Sequence, residues 1–227
     1  QRPEGVMCVK ERPWQGLYAD GITTLDYERG KAESILDDPW QTDDSIGSWG
    51  YNPARPYVKP GYVVDKIIDI VSKNGNMLLN IPIKADGTLD KEATALLNDV
   101  GAWFDVNGEA IYGTRPWYMY GEGKNKIDAH HGTESNLTSK DIRYVKKNGY
   151  LYAFVMDWPK KHQNPVVLPN LTIMNTRVTE VISVELLGYD KNIIWENHGD
   201  GLHVTFPEKK PCEHAYALKI GFANPLK

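Results

Sequence analysis

"GYVVDKIIDIVSKNGNMLLNIPIKADGT", residues 61–88, decides the fold class. Val63, Val64, Ile67, Ile68 and Val71 recur at helical spacing, and Asn74-Gly75 supplies a stop, so residues 61–74 are expected to form an amphipathic helix. "NMLLNIP" follows at once. It is a short, nearly continuous apolar run closed by the turn Ala85-Asp86-Gly87, as expected of a strand buried on both faces. A second helix is expected from about Asp90, with Leu96, Leu97, Val100, Trp103 and Phe104 on one face and an end at Asn107-Gly108. Helix, buried strand, helix is α/β architecture, and a chain that opens in the middle of this pattern reads as the tail of a parallel barrel or sheet.

Towards the C-terminus the pattern changes after "YGTRPW". Residues 142–145, 150–156, 165–168, 178–187, 202–206 and 215–220 are short segments rich in β-branched and aromatic residues, separated by Gly, Asn, Asp and Pro turns. That is the signature of an antiparallel β-sandwich. Two domains are therefore expected: 1–115 as the C-terminal portion of a barrel and 116–227 as the sandwich. Gly113 and Pro116 fit a tight junction between them.

Towards the N-terminus, "TTLDYERGKAESILDDPWQTDDSIGSWGYNP", residues 23–53, has no clean helical or strand period. The expectation is a surface loop that carries function. Its ionisable residues are Asp26, Glu28, Arg29, Glu33, Asp37, Asp38, Asp43 and Asp44, with Trp40, Trp49 and Tyr51 interleaved. Carboxylates beside aromatic rings suit a glycosidase, which needs one acid to protonate the leaving oxygen, a second as nucleophile or base, and rings to hold the sugar.

Composition narrows the field. The chain has 227 residues, 41% of them hydrophobic, which is enough to bury a core in one or two domains. A formal charge of −4 gives no basic patch for nucleic acid, and no apolar run reaches the length of a membrane span. Cys8 and Cys212 form no disulfide framework and no metal-type spacing. His130 and His131 are adjacent, and neighbours on a strand point to opposite faces, so they are not expected to act as a metal-binding or acid/base pair.

"WQTDDSIGSWGY", then "VSKNGNMLLNIPIKADGTL", then "VGAWFDVNGEAIYGTRPW" resemble, in order and spacing, the second half of the catalytic region of α-L-fucosidases, glycoside hydrolase family 29. The resemblance implies a (β/α)8-like barrel followed by a C-terminal β-sandwich, and a retaining exo-α-L-fucosidase mechanism with no cofactor and no metal. It implies an aspartate nucleophile in a W-x-D context, which nothing in this chain matches; Asp20 precedes a glycine but lacks the tryptophan and the strand. The nucleophile is therefore expected on an upstream part of the same barrel, which becomes this chain's first partner. Glu28 of "LDYERG" falls at the family's general acid/base, Arg12 of "VKERPW" at a fucose-contacting arginine, and Trp49 at the ring that packs on the apolar face of fucose. Trp40 is carried over as substrate-binding too. The second partner would be a fucosylated oligosaccharide or glycoconjugate, and the family's habit places the protein in the periplasm, outside the cell or in the lysosome. The competing expectation is a non-catalytic carbohydrate-binding protein that stacks glycans on Trp40, Trp49 and Trp117.

Overall fold

The computed structural model describes residues 5–10, 23–127, 135–172, 174–175 and 178–226. Four strands, β1 (Cys8–Lys10), β2 (Thr24–Glu28), β3 (Trp40–Ser45) and β4 (Gly75–Asn80), form one sheet in chain order. Every pairing in it is parallel. Between β3 and β4 runs α1 (Pro60–Ser72), and α2 (Lys91–Asn107) follows β4. This is a curved wall of the kind that makes up part of a (β/α)8 barrel.

Both helices follow from their sequences. Proline at the first turn of α1 loses nothing, because an amide there has no helical acceptor, and Asn74 at φ 71° turns the chain out of the helix into β4. At the start of α2, Asp90 caps the helix by accepting from the amide of Ala93.

The sheet also corrects the sequence reading. Residues 23–53 are not one loop: they contain β2 and β3. Period-2 patterning was hidden because both faces of these strands carry polar residues. Leu25, Tyr27 and Trp40 turn to the helix side, where they cluster with Ile70 of α1. By alternation Asp26, Glu28, Gln41 and Asp43 share the opposite face, the inner one of a barrel. On the helix side Asp44 is held by a contact from the Lys66 ammonium, so a carboxylate stands where an apolar residue would ordinarily mark a strand. Within this chain β4 is covered on its helix side, and Leu78 on its inner face is 59% exposed, the face that the remaining strands of a barrel would cover.

Eight further strands form the antiparallel part. A five-stranded sheet has the order β5 (Arg115–Glu122), β6 (Ile142–Lys147), β7 (Tyr150–Val155), β12 (Tyr216–Phe222), β9 (Val181–Leu186). A three-stranded sheet has β10 (Ile194–His198), β11 (Gly201–Thr205) and β8 (Val166–Leu168). Trp117, Tyr144, Leu168, Val204, Leu218 and Ile220 lie in the core shared by the two sheets. The other face of the larger sheet packs on the helices: Val145, Tyr152, Phe154 and Ala217 cluster with Val63, Ile68, Val100 and Trp103. Burial on both faces explains why β7 reads "YLYAFV" without alternation. The Trp103 indole donates to the carbonyl of Ala215 at 2.7 Å, so this contact layer is also hydrogen-bonded.

Candidate active site

Glu28 ends β2, and Ser45 ends β3, so the C-terminal edge of the parallel sheet gathers Glu28, Asp43, Asp44 and Ser45 beside Asn80 at the end of β4. Parallel α/β sheets and barrels place their reactive groups at this edge, where chain reversals free the side chains from the core. Glu28 is exposed, and its register partner on β3 is Asp43. Lys10 on β1 lies 2.5 Å from Asp43 and 3.3 Å from Asp26, tying three neighbouring strands together on the inner face. Burial disfavours the Lys10 charge, yet the bonds to Asp43 and Asp26 outweigh it and raise its proton affinity.

The loop after β3 carries Trp49, which is 42% exposed. Several bonds fix it. Ser45 Oγ donates to the carbonyl of Ser48 at 2.9 Å, and Asn80 Nδ2 donates both to Ser45 Oγ at 2.9 Å and to the carbonyl of Trp49 at 3.0 Å. Gly47 is required here, since a Cβ would stand 2.8 Å from the Tyr57 ring. From the other side Arg29 reaches the same loop: Nη2 donates to the carbonyl of Gly47 at 2.8 Å, and Cζ lies 4.5 Å from the centre of the Trp49 ring. Beneath them Lys66 contacts Asp44 and donates to the carbonyl of Arg29 at 2.9 Å. Burial lowers the proton affinity of Lys66, and Asp44 opposes that shift.

The structure therefore brings Glu28 and Trp49 to one edge, and it removes Trp40 from the site. Trp40 begins β3 at the opposite edge, is 0% exposed, and donates its indole N–H to the carbonyl of Lys73 at 2.8 Å. Its ring edges on Tyr27 and lies where Gly75 would carry a Cβ, 2.5 Å away. A side chain enclosed in this way cannot stack on a sugar. Trp117, at 6% exposed, is likewise part of the sandwich core, so the glycan-stacking alternative loses two of its three rings. Arg12, Asp20, His130 and His131 lie outside the described residues. Arg29, Asn80, Asp44 and Lys66, which hold this edge and its loop, were not singled out from the sequence. Only the strand ends at 28, 45 and 80 could have pointed to them, and two of those strands were hidden. Among the described residues no cluster of three or more His, Cys, Asp or Glu could hold a metal ion.

A parallel β/α wall backed by antiparallel sheets places the chain in the class of folds built from a (β/α)8-like barrel followed by a β-sandwich. Within that class it belongs to the α-L-fucosidase family. Residues 1–109 match the family described as Alpha-L-fucosidase, and residues 135–221 match the Alpha-L-fucosidase C-terminal domain. Tissue alpha-L-fucosidase of Mus musculus is 28% identical over 207 residues, covering 87% of this chain and 41% of its own length. Alpha-L-fucosidase isoenzyme 1 from Paenibacillus thiaminolyticus shares the fold with a TM-score of 0.69 at 24% identity, over 88% of this chain and 45% of that one. A bacterial fucosidase solved with a monovalent iminocyclitol inhibitor superimposes with a TM-score of 0.65 at 25% identity, over 88% of this chain and 43% of that one. The chain thus spans about two fifths of the length of the curated relatives it matches.

Proposed function

We propose that this chain supplies the general acid/base half of the active site of a retaining exo-α-L-fucosidase. Residues 1–115 contribute the last segments of the barrel, and 116–227 form the sandwich that braces them. The observation that carries this reading is the position of Glu28: it ends a parallel strand on the inner face, at the sheet edge where the loop after the neighbouring strand carries the exposed Trp49. Family membership and the relatives named alpha-L-fucosidase support it.

Glu28 would protonate the departing glycosidic oxygen while an aspartate outside this chain attacks C1. It would then take a proton from the water that releases fucose, which is the two-step route of retaining enzymes. Trp49 would pack on the apolar face of the sugar, and Arg12 would contact its hydroxyls. The substrate class is a terminal α-L-fucosyl linkage in an oligosaccharide or glycoconjugate, met in the periplasm, outside the cell or in the lysosome. No described helix is long and apolar enough to cross a membrane.

The test uses this chain joined to its upstream barrel half, with an α-L-fucoside followed by NMR from the first minutes. Release of α-fucose as the first product is expected. Release of β-fucose first would contradict a retaining route, and binding of fucosides without any turnover would favour the carbohydrate-binding reading.

A further inference from the structure

Arg29 is bound more firmly than a residue of an exposed turn requires. It directly follows Glu28, and its backbone sits at φ 54°, in the left-handed region that residues with a Cβ rarely adopt. Its amide donates to the carbonyl of Asp43 at 2.8 Å, and its carbonyl accepts from Lys66 at 2.9 Å, so both peptide groups of the turn are held. The side chain spans to the next loop. It bonds to Gly47, lies 3.3 Å from Asp44 Oδ1, and covers the Trp49 ring.

We propose that Arg29 is a positioning residue that fixes the Trp49 ring, as a sugar platform, at a set place relative to Glu28. A planar guanidinium can do three things at once here: fork to two oxygens, stack on an indole, and stay charged when half-buried. With that group against one face of the ring, the remaining exposed surface of Trp49 is what a pyranose can meet. The backbone of Trp49 is pinned independently by Asn80, so the function left to Arg29 is the orientation of the ring. A lysine in its place would keep the charge and lose the fork and the stack.

The inference rests on the reading that Glu28 and Trp49 border the fucose site, and the experiment separates the two. In the complete enzyme, Arg29→Lys and Arg29→Gln are each made alone and in a Trp49→Ala background. Dissociation constants for an iminocyclitol inhibitor are measured by calorimetry, beside KM and kcat on an activated aryl fucoside. The expected result is a weakening of inhibitor affinity and a rise in KM by about tenfold, with kcat within about threefold. In the Trp49→Ala background the same substitutions change affinity less than about twofold, because the ring they orient is gone. Equal losses in both backgrounds overturn the positioning role and leave the proposed function standing. A loss confined to kcat overturns it too, since that places Arg29 with Glu28 rather than with Trp49. If Trp49→Ala leaves inhibitor affinity unchanged, the platform reading itself fails.

Discussion

Arg143 Nε donates to Asp69 Oδ1 at 2.7 Å, joining the sandwich strand β6 to helix α1 of the barrel wall through two side chains no more than 4% exposed. Lys73 and Lys31 approach Asp69 Oδ2 at 2.7 and 2.9 Å, so one carboxylate meets three cations in a buried layer. Burial alone would raise the proton affinity of Asp69. The charges of Lys73, Arg143 and Lys31 outweigh it and hold the carboxyl well below the usual range.

Asp69→Asn should therefore leave three buried cations uncompensated and destabilise the protein by about 3–5 kcal/mol at neutral pH, read from urea unfolding. A group with a depressed folded-state pKa contributes stability above its unfolded value and loses it as pH falls. The gap between wild type and variant should thus narrow below about pH 4. A variant with an unchanged midpoint at pH 7 would show that the cluster is not needed to hold the two layers together.

Asp65 makes the opposite case one helical turn away. It accepts from Ser135 Oγ, with Arg143, Asp69 and Asp157 as its charged neighbours. Burial dominates and raises its pKa to about 7. Here the folded state holds a proton that the unfolded state releases from about pH 4, so this group costs stability as pH rises towards 7, with a slope of up to about 1.4 kcal/mol per pH unit. Asp65→Asn should remove that slope, leaving the variant more stable than wild type at pH 8 and nearly equal to it at pH 4. Parallel stability curves for the two proteins from pH 4 to 8 would contradict the assignment.

The structure makes Trp40 a core residue. Trp40→Phe should lower unfolding free energy by about 2 kcal/mol through a lost N–H···O bond and lost ring volume. In the complete enzyme its inhibitor affinity should stay within about twofold of wild type. Gly75→Ala should destabilise by about 1–3 kcal/mol for the matching reason, since its methyl would overlap the Trp40 ring. Thermal melts and inhibitor titration check both, and a folded Trp40→Phe protein that has lost sugar affinity would return Trp40 to the site.

What was legible in the sequence followed one rule, that apolar period marks structure. The helix of Val63, Val64 and Ile68, the helix of Leu96, Val100 and Trp103, and strands such as β6 and β7 all bury apolar side chains, and their positions were readable. Strands β2 and β3 were not, because Asp26 and Asp43 line an inner face where polar groups are held by Lys10, and Asp44 is matched by Lys66 on the outer face. The exposed strand β10 also lacked a pattern, as four of its five residues face solvent and the fifth is half-buried. Motif likeness named Glu28 and Trp49, both of which lie at the C-terminal edge of the parallel sheet. It also carried Trp40 along, because a tryptophan's type does not say which edge of a strand it occupies. The buried charges Asp65, Lys66, Asp69 and Lys73 sit on a segment that looked simply amphipathic; Asp69 and Lys73 pair with each other one turn apart, while Ser135, Asp44, Lys31 and Arg143, which complete the contacts, lie far away in sequence.

Azide rescue decides whether Glu28 has the proposed role of general acid/base. Glu28→Ala in the complete enzyme can neither protonate a leaving group nor activate water. Natural fucosyl linkages should therefore lose about 10²–10⁴-fold in rate. An aryl fucoside with an acidic phenol needs little protonation, so a burst of phenol should precede a slow steady state as the covalent intermediate accumulates. Added azide, a nucleophile that needs no base and fits the space left by the carboxylate, should restore turnover and yield fucosyl azide of retained α configuration. Turnover of natural linkages near the wild-type rate, or azide rescue that appears in Asp43→Ala or Glu33→Ala and not in Glu28→Ala, would contradict the account.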